Sequence, residues 1–415
     1  MSGPAAKKRA LDIEPCRIRG HRLRAHHLDQ KLPLSRLAEA AGACGLQNSP
    51  PGAWETAAFN RISTCTLQAL ENALYSEKSL LQAWSFRGAP VVFPTVESAV
   101  FLSALAAQPG EQPWIYTRGL SAALDYLDMS FDPLLSLVRE AAAYLNTHTV
   151  CSKEALDQTL AELILPHLPP EKRDLWNAPS MYGRPDRQTV GGAAVSFLLR
   201  PCSFLSLVVF GRRQGMTPSF TSFTNWTGHG PDQADDPGRA LTRKFLHCYG
   251  PATPAAFARW LGASPAQARR LWSRAEQDMC PVRVCGRTAY LLTDDLPGLL
   301  SAAADERLLL LGPHDPYLDA ADRSVLLEDT RLHRYVWKTV ANPGAVLLDG
   351  RIAGIWTAVK QNGLSVSVRL FEPLSAPQRR TLAERAEAYA AFRLQKLNAV
   401  TIAAMDDGPL CDSQT

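Results

Sequence analysis

The segment Ala43-Cys44-Gly45-Leu46-Gln47-Asn48-Ser49-Pro50-Pro51-Gly52 sets two amide side chains and a hydroxyl at three consecutive positions. Amides and hydroxyls both donate and accept hydrogen bonds, so such a run can hold water or an oxygen of a phosphate or sugar. The same residues make an ordinary helix-ending loop, because Asn and Ser favour turns and Pro-Pro-Gly stops a helix. From these residues alone the loop is the stronger reading. Other chemistry-bearing residues carry less. His314-Asp315 has the make-up of a base and its orienter, but neighbours on a strand face opposite ways, so a turn capped by Asp315 is expected. His26-His27 reads as a packing or surface pair, and neither Lys338 nor Lys360 sits in a motif that would make it a Schiff-base nucleophile. No GxSxG, HExxH or glycine-rich phosphate loop occurs. The nine cysteines are scattered, and the close pair Cys280/Cys285 has no partner pair or histidine at zinc spacing. No metal and no cofactor is expected.

The elements that position these residues come from a chain of 415 residues, 46% apolar and 20% charged, which is ample for buried cores and for several domains. The formal charge of +4 hides an asymmetry: residues 1–290 hold 31 basic and 24 acidic side chains, and residues 291–415 hold 13 and 16. A basic front fits a polyanionic partner. No apolar run is long enough to span a membrane, and the N-terminal charges are not followed by the apolar stretch of a secretory signal. A cytoplasmic protein with free thiols is expected.

Residues 1–22 read as a basic arm, taken as a solvated tail in preference to a phosphate-contacting one. Residues 251–295 are the best punctuated. Thr253-Pro254 opens one helix, Gly262 ends it, Ser264-Pro265 opens a second, and two β-rich runs flank Cys285-Gly286. Helix, helix, hairpin is the order of a winged helix, a module whose second helix can enter the major groove. Arg269, Arg270 and Arg274 on that helix, with Arg283 and Arg287 on the wing, are candidate DNA contacts. A diverged copy over 131–240 has a hairpin whose tip carries Arg212 and Arg213, and a third copy occupies 23–130, with a long helix expected over 64–85. The best-punctuated copy is bounded at 241–304. Beyond it, 305–405 reads as strands at 308–311, 325–329 and 345–370, with Asp349-Gly350 and Asn362-Gly363 at hairpin turns. These suggest a small barrel, followed by a terminal helix and, from 406, a tail. The fold class is α+β: three tandem winged-helix modules, a β-barrel and a helix.

Taken in order, several segments resemble the bacterial winged-helix DNA glycosylases of the AlkZ type. They are GLQNS with AWETAAFNRI and Arg61, SFRGAPVVFPT at 85–95, LLLLGPHDPYLDAADR at 308–323 and AVLLDGRIAGIW at 345–356. The resemblance implies a cofactor-independent, monofunctional glycosylase that wraps duplex DNA as a monomer. Its best-known members protect producers of DNA-alkylating antibiotics. In the family the element runs Gln, hydrophobic residue, Gln; here it is Gln47, Asn48, Ser49, closer to the branch associated with bulky guanine-N7 alkylators of the trioxacarcin and hedamycin kind. The resemblance assigns Gln47 to orienting a water, Ser49 to a second and weaker water contact, and Asn48 either to the sugar or to the turn. It adds Arg61 to the DNA contacts.

That chemistry is physically sound. Alkylation at N7 makes the purine cationic and a good leaving group, so positioning and electrostatics suffice where a strong acid would otherwise be needed. The partner implied is double-stranded DNA bearing a bulky guanine adduct, approached from a groove without full extrusion of the base, in a nucleoid-associated setting. A winged-helix transcriptional regulator and a non-catalytic adduct-binding protein are the competing readings.

Overall fold

Residues 11–111, 115–183, 185–303 and 307–405 are described in the computed structural model. Near the start of the chain, strands β1 (Leu46–Gln47), β2 (Leu80–Trp84) and β3 (Pro90–Pro94) form an antiparallel sheet with β3 in the centre. The helix expected over 64–85 is split. Thr66 caps Leu67–Glu71 by accepting from Ala69 N, a wider turn follows over Asn72–Ser76, and Lys78 leaves helical space at φ 54°. All five residues of β2 are buried, so the hairpin with β3 claims Leu80–Trp84 despite their helix-compatible letters.

The expectation of a solvated arm is also overturned where the chain is described. Pro15–Ala25 is a helix whose Ile18 and Leu23 are buried. Arg22 is 1% exposed, holds Asp322 with two bonds of 2.8 Å, and donates to Tyr249 O and Gly250 O. Lys7, Lys8 and Arg9 lie outside the described residues.

The next stretch places the helices Phe131–Ala142, Lys153–Ile164 and Val190–Phe204 around one apolar cluster. Strands β4 (Val150–Cys151), β5 (Val209–Phe210) and β6 (Ser219–Thr221) form its sheet, with β6 central. The β5–β6 connection is the expected arginine-tipped hairpin. The 251–295 segment follows its punctuation closely. Thr253 and Ser264 cap Pro254–Leu261 and Pro265–Ser273, with Gly262 in the left-handed region at φ 69° between them. Strands β7 (Met279–Val284) and β8 (Arg287–Leu292) pair through a turn at Cys285 and Gly286, both at positive φ.

At the back, β9 (Leu308–Leu311), β10 (Gly344–Leu348), β11 (Arg351–Lys360), β12 (Leu364–Leu370) and β13 (Leu397–Ala404) lie in the spatial order β13-β12-β11-β10-β9. The hairpin turns fall at Asp349-Gly350 and Asn362-Gly363, all at positive φ. Along β12, Leu364, Val366, Val368 and Leu370 point inward, and the helix Ala376–Phe392 covers them with Leu382, Ala386 and Ala390. Among the described residues β9 and β13 do not pair with each other, so the sheet is open and the expected barrel is not closed. Residues 325–329 are not a strand. A 3₁₀ turn at Arg323–Val325 leads into Leu326 and Leu327, and all of Val325, Leu326 and Leu327 are buried as a plug with no alternation.

One buried ion pair fastens the front of the chain to the back. Arg61, at the end of the helix Ala53–Arg61, meets both oxygens of Asp315 at 2.8 Å, with side chains 1% and 0% exposed. Asp315 also caps the following turn by accepting from Tyr317 N. Arg61 is therefore no DNA contact: its guanidinium is fully spent inside the fold. Removing one partner leaves an uncompensated buried charge, so Arg61→Ala or Asp315→Ala should destabilise the protein by about 3–5 kcal/mol. Urea unfolding followed by fluorescence would read this as a lowered midpoint.

Candidate functional site

Gln47 ends the two-residue strand β1, whose Leu46 and Gln47 face Val92 and Val91. The entry to β1 requires glycine: Gly45 sits at φ 76°, and a Cβ there would lie 2.5 Å from a Val91 methyl. Asn48 N donates to Pro90 O, continuing the ladder by one bond. The Asn48 side chain turns into the loop, where its Oδ1 accepts from Gly52 N at 2.7 Å and its Nδ2 donates to Gln82 Oε1 at 3.0 Å. Both ends of that amide are used, so Asn48 shapes the turn and does not face a reactant. Ser49 is half-buried beside it.

Gln47 is 9% exposed, and its amide is held from two sides. Arg87 Nη2 donates to Oε1 at 3.1 Å, and Nε2 faces Ser49 O at 3.5 Å. The same Nη2 donates to Asp319 Oδ2 at 2.6 Å, and Nη1 donates to Trp260 O at 3.0 Å. Arg87 sits in the β2–β3 turn at φ 57°, a conformation that costs a side-chain-bearing residue about 1–2 kcal/mol. Its neighbour Gly88 is also left-handed, and Gly262 packs against the Arg87 backbone, where a Cβ would come within 3.0 Å of Cα. Burial pushes the Asp319 carboxyl up, opposed by Arg87, and burial lowers the His314 imidazole, which therefore adds no charge at neutral pH. Arg87 and Asp319 escape a sequence reading: each is one polar residue among several in a resembling segment, and only their meeting marks them.

Glu55 forms a second node. It is 6% exposed and takes Arg213 at 2.9 Å on one oxygen and Arg393 on the other. Arg393 also donates to Gly52 O and Thr56 Oγ1, so the terminal helix's end grips the loop's exit. Arg213 is thus committed to Glu55. Arg270 is likewise committed to Glu111, at 2.6 and 3.0 Å. Arg274 reaches Asp236 at 3.2 Å and Arg283 reaches Asp12 at 3.5 Å, both near the surface. Arg212 is exposed over the Tyr75 ring, and Arg269 and Arg287 are exposed with no ion pair among the described residues.

His26, Cys44 and Cys248 form a buried cluster, with ligand-type atoms within 4.8 Å of one another. Their polar atoms have partners inside the protein: His26 Nε2 meets Cys248 O, His26 Nδ1 meets Cys44 Sγ, and Cys248 Sγ donates to Ala43 O. The eight described cysteines are free thiols.

Neutralising Glu55 leaves Arg213 and Arg393 facing each other. Glu55→Gln should cost roughly 1–3 kcal/mol, reduced from the fully buried case because both arginines reach solvent. Limited proteolysis should cut faster at the β5–β6 tip.

Known proteins share this arrangement of elements. Residues 40–392 match the model of the family described as DNA glycosylase AlkZ-like. The chain is 24% identical over 301 residues to an interstrand DNA cross-link repair glycosylase of Streptomyces sahachiroi, covering 70% of this chain and 73% of that protein. Its fold is similar to that of the Streptomyces sahachiroi DNA glycosylase AlkZ, with a TM-score of 0.74 at 18% identity over 94% of this chain and 100% of that one. With the match spanning both the Gln47 loop and the Arg87–Asp319 contact, the chain belongs to the AlkZ-like family and is a DNA glycosylase.

Proposed function

We propose that this enzyme hydrolyses the N-glycosidic bond of guanine carrying a bulky N7 adduct in duplex DNA, and so confers resistance to a DNA-alkylating natural product. The observation that carries the reading is the Gln47 amide, nearly buried yet oriented by a guanidinium at the edge of β1. One lone pair of Oε1 accepts from Arg87, leaving the second for a water, while Nε2 can donate to a phosphate or sugar oxygen. The water oxygen bonds to the anomeric carbon as the bond to N9 breaks. The electron pair neutralises the cationic purine, and the surplus proton leaves to solvent. Ser49 is the second, weaker water contact. No metal or cofactor enters this scheme.

Duplex binding is assigned to three winged-helix modules, over 23–130, 131–240 and 241–304, acting in a monomer. Arg212, Arg269 and Arg287 are the exposed cations for phosphates, and Arg274 and Arg283 can exchange their surface carboxylates for them. Phosphate contacts of this kind suit a lesion that occurs in any sequence. A sequence-reading regulator is disfavoured, because the helix Pro265–Ser273 spends Arg270 on Glu111. The relative named for cross-link repair acts on a doubly attached lesion; the Gln-Asn-Ser element here favours a bulky single adduct, reached from the groove without full extrusion.

On a duplex alkylated at guanine N7, with free modified base measured by mass spectrometry, Gln47→Ala should cut release by orders of magnitude and leave DNA affinity within a few-fold. Ser49→Ala should cost less. Equal release by Gln47→Ala and the wild-type chain would overturn the assignment. Arg269→Ala or Arg287→Ala should weaken binding evenly across sequences and reduce the salt slope by about one.

A further inference from the structure

A cationic leaving group and a sugar that gains positive charge make an arginine an unfavourable neighbour. Yet Arg87 donates to the amide assigned to the water, within hydrogen-bond reach of the site. The conflict is resolved by Asp319, which shares the same guanidinium nitrogen: Nη2 lies 3.1 Å from Gln47 Oε1 and 2.6 Å from Asp319 Oδ2. The pair is partly sheltered, with side chains 26% and 21% exposed, so solvent screens it only in part. Arg87 is also held in a strained backbone conformation by a glycine-tight contact with Gly262 and by the Trp260 carbonyl. Strain retained beside a reacting group points to positioning.

We infer that Arg87 and Asp319 act as one net-neutral positioning pair: Arg87 sets the Gln47 amide with its carbonyl end fixed, and Asp319 cancels the charge that would otherwise repel the cationic purine and sugar. This rests on the base-excision reading and names the residues that make it work. Neither residue needs to touch the substrate. Arg87 fixes which end of the Gln47 amide faces the β2–β3 turn. Asp319 keeps the local field from opposing the reaction. His314, Cys44, Tyr249 and Arg323 also interact electrostatically with Asp319.

The test is a double-mutant cycle on single-turnover base release from a duplex alkylated at guanine N7 by an intercalating epoxide. Asp319→Asn keeps the shape and strands the guanidinium. At subsaturating enzyme it should lower base release roughly 100-fold, the effect of one unit charge about 6 Å from the cation that purine and sugar share throughout the reaction, at an effective dielectric of about 20, with affinity for unmodified duplex within threefold. Arg87→Gln frees the amide and removes the cation that keeps the buried Asp319 carboxyl ionised, so the site stays near neutral and release should slow roughly 10-fold. The double variant is neutral again and should release base faster than Asp319→Asn alone. Packing lost at either residue gives the opposite order, with the double variant at least as slow as the slower single. That order, or Asp319→Asn within threefold of wild type, overturns the inference. Thermal melts of all four proteins separate charge effects from unfolding. Gln47→Ala run alongside tests the base-excision reading separately: if it releases base normally, that reading fails whatever the cycle shows.

Discussion

A strand of two residues cannot hold its own place, and Leu46–Gln47 is such a strand. Its two register pairs with β3 and one further backbone bond from Asn48 fix its direction, but the Gln47 amide is set by groups brought from elsewhere. The Arg87 guanidinium sits on its carbonyl, Asp319 holds the guanidinium, and Glu55 with Arg393 pins the loop where it leaves for the helix Ala53–Arg61. The Arg61–Asp315 pair then locks the far end of that helix against the turn that also carries Asp319. Each of these side-chain contacts is ionic or charge-assisted, and most are sheltered, where such bonds are geometrically demanding and costly to break singly.

This use of arginine changes what the basic front of the chain means. A surplus of positive residues fits a polyanion partner, but Arg22, Arg61, Arg213 and Arg270 are spent on Asp322, Asp315, Glu55 and Glu111. Of the arginines proposed above for a phosphate backbone, those left exposed without an ion pair among the described residues are Arg212, Arg269 and Arg287, on the β5–β6 tip, the helix Pro265–Ser273 and the β7–β8 hairpin. Counting charge along a sequence overstates the surface available to DNA, because the planar fork that suits phosphate suits a buried carboxylate equally well.

The parts legible in the sequence are those written in local signals. Thr253, Gly262, Ser264 and Cys285-Gly286 punctuate their own elements, and Asp349-Gly350 marks its hairpin, because caps and positive-φ turns are decided within a few residues. Asp315 could be read as a turn cap on the same grounds, whereas Gln47 and Ser49 stand out only through the family resemblance, the local signals there favouring a loop. Leu80–Trp84 was illegible because complete burial removes the alternation that marks a strand, and β13 because both its faces are largely exposed. Arg61 was misplaced, and Arg87 and Asp319 passed over, for one reason: a polar residue's role is set by its partner, and these partners lie far away in the chain.

Those separations have a bearing on how the enzyme comes into being. Arg61 and Asp315 are 254 positions apart, Arg87 and Asp319 are 232 apart, and Glu55 and Arg393 are 338 apart. During synthesis the Gln47 loop emerges early and waits for nearly all of the described chain before its anchors exist. Contacts of such span close late in folding. A nascent or truncated chain therefore carries the loop without the scaffold that aims it, so an interrupted ribosome yields a fragment whose Gln47 amide has not yet been aimed.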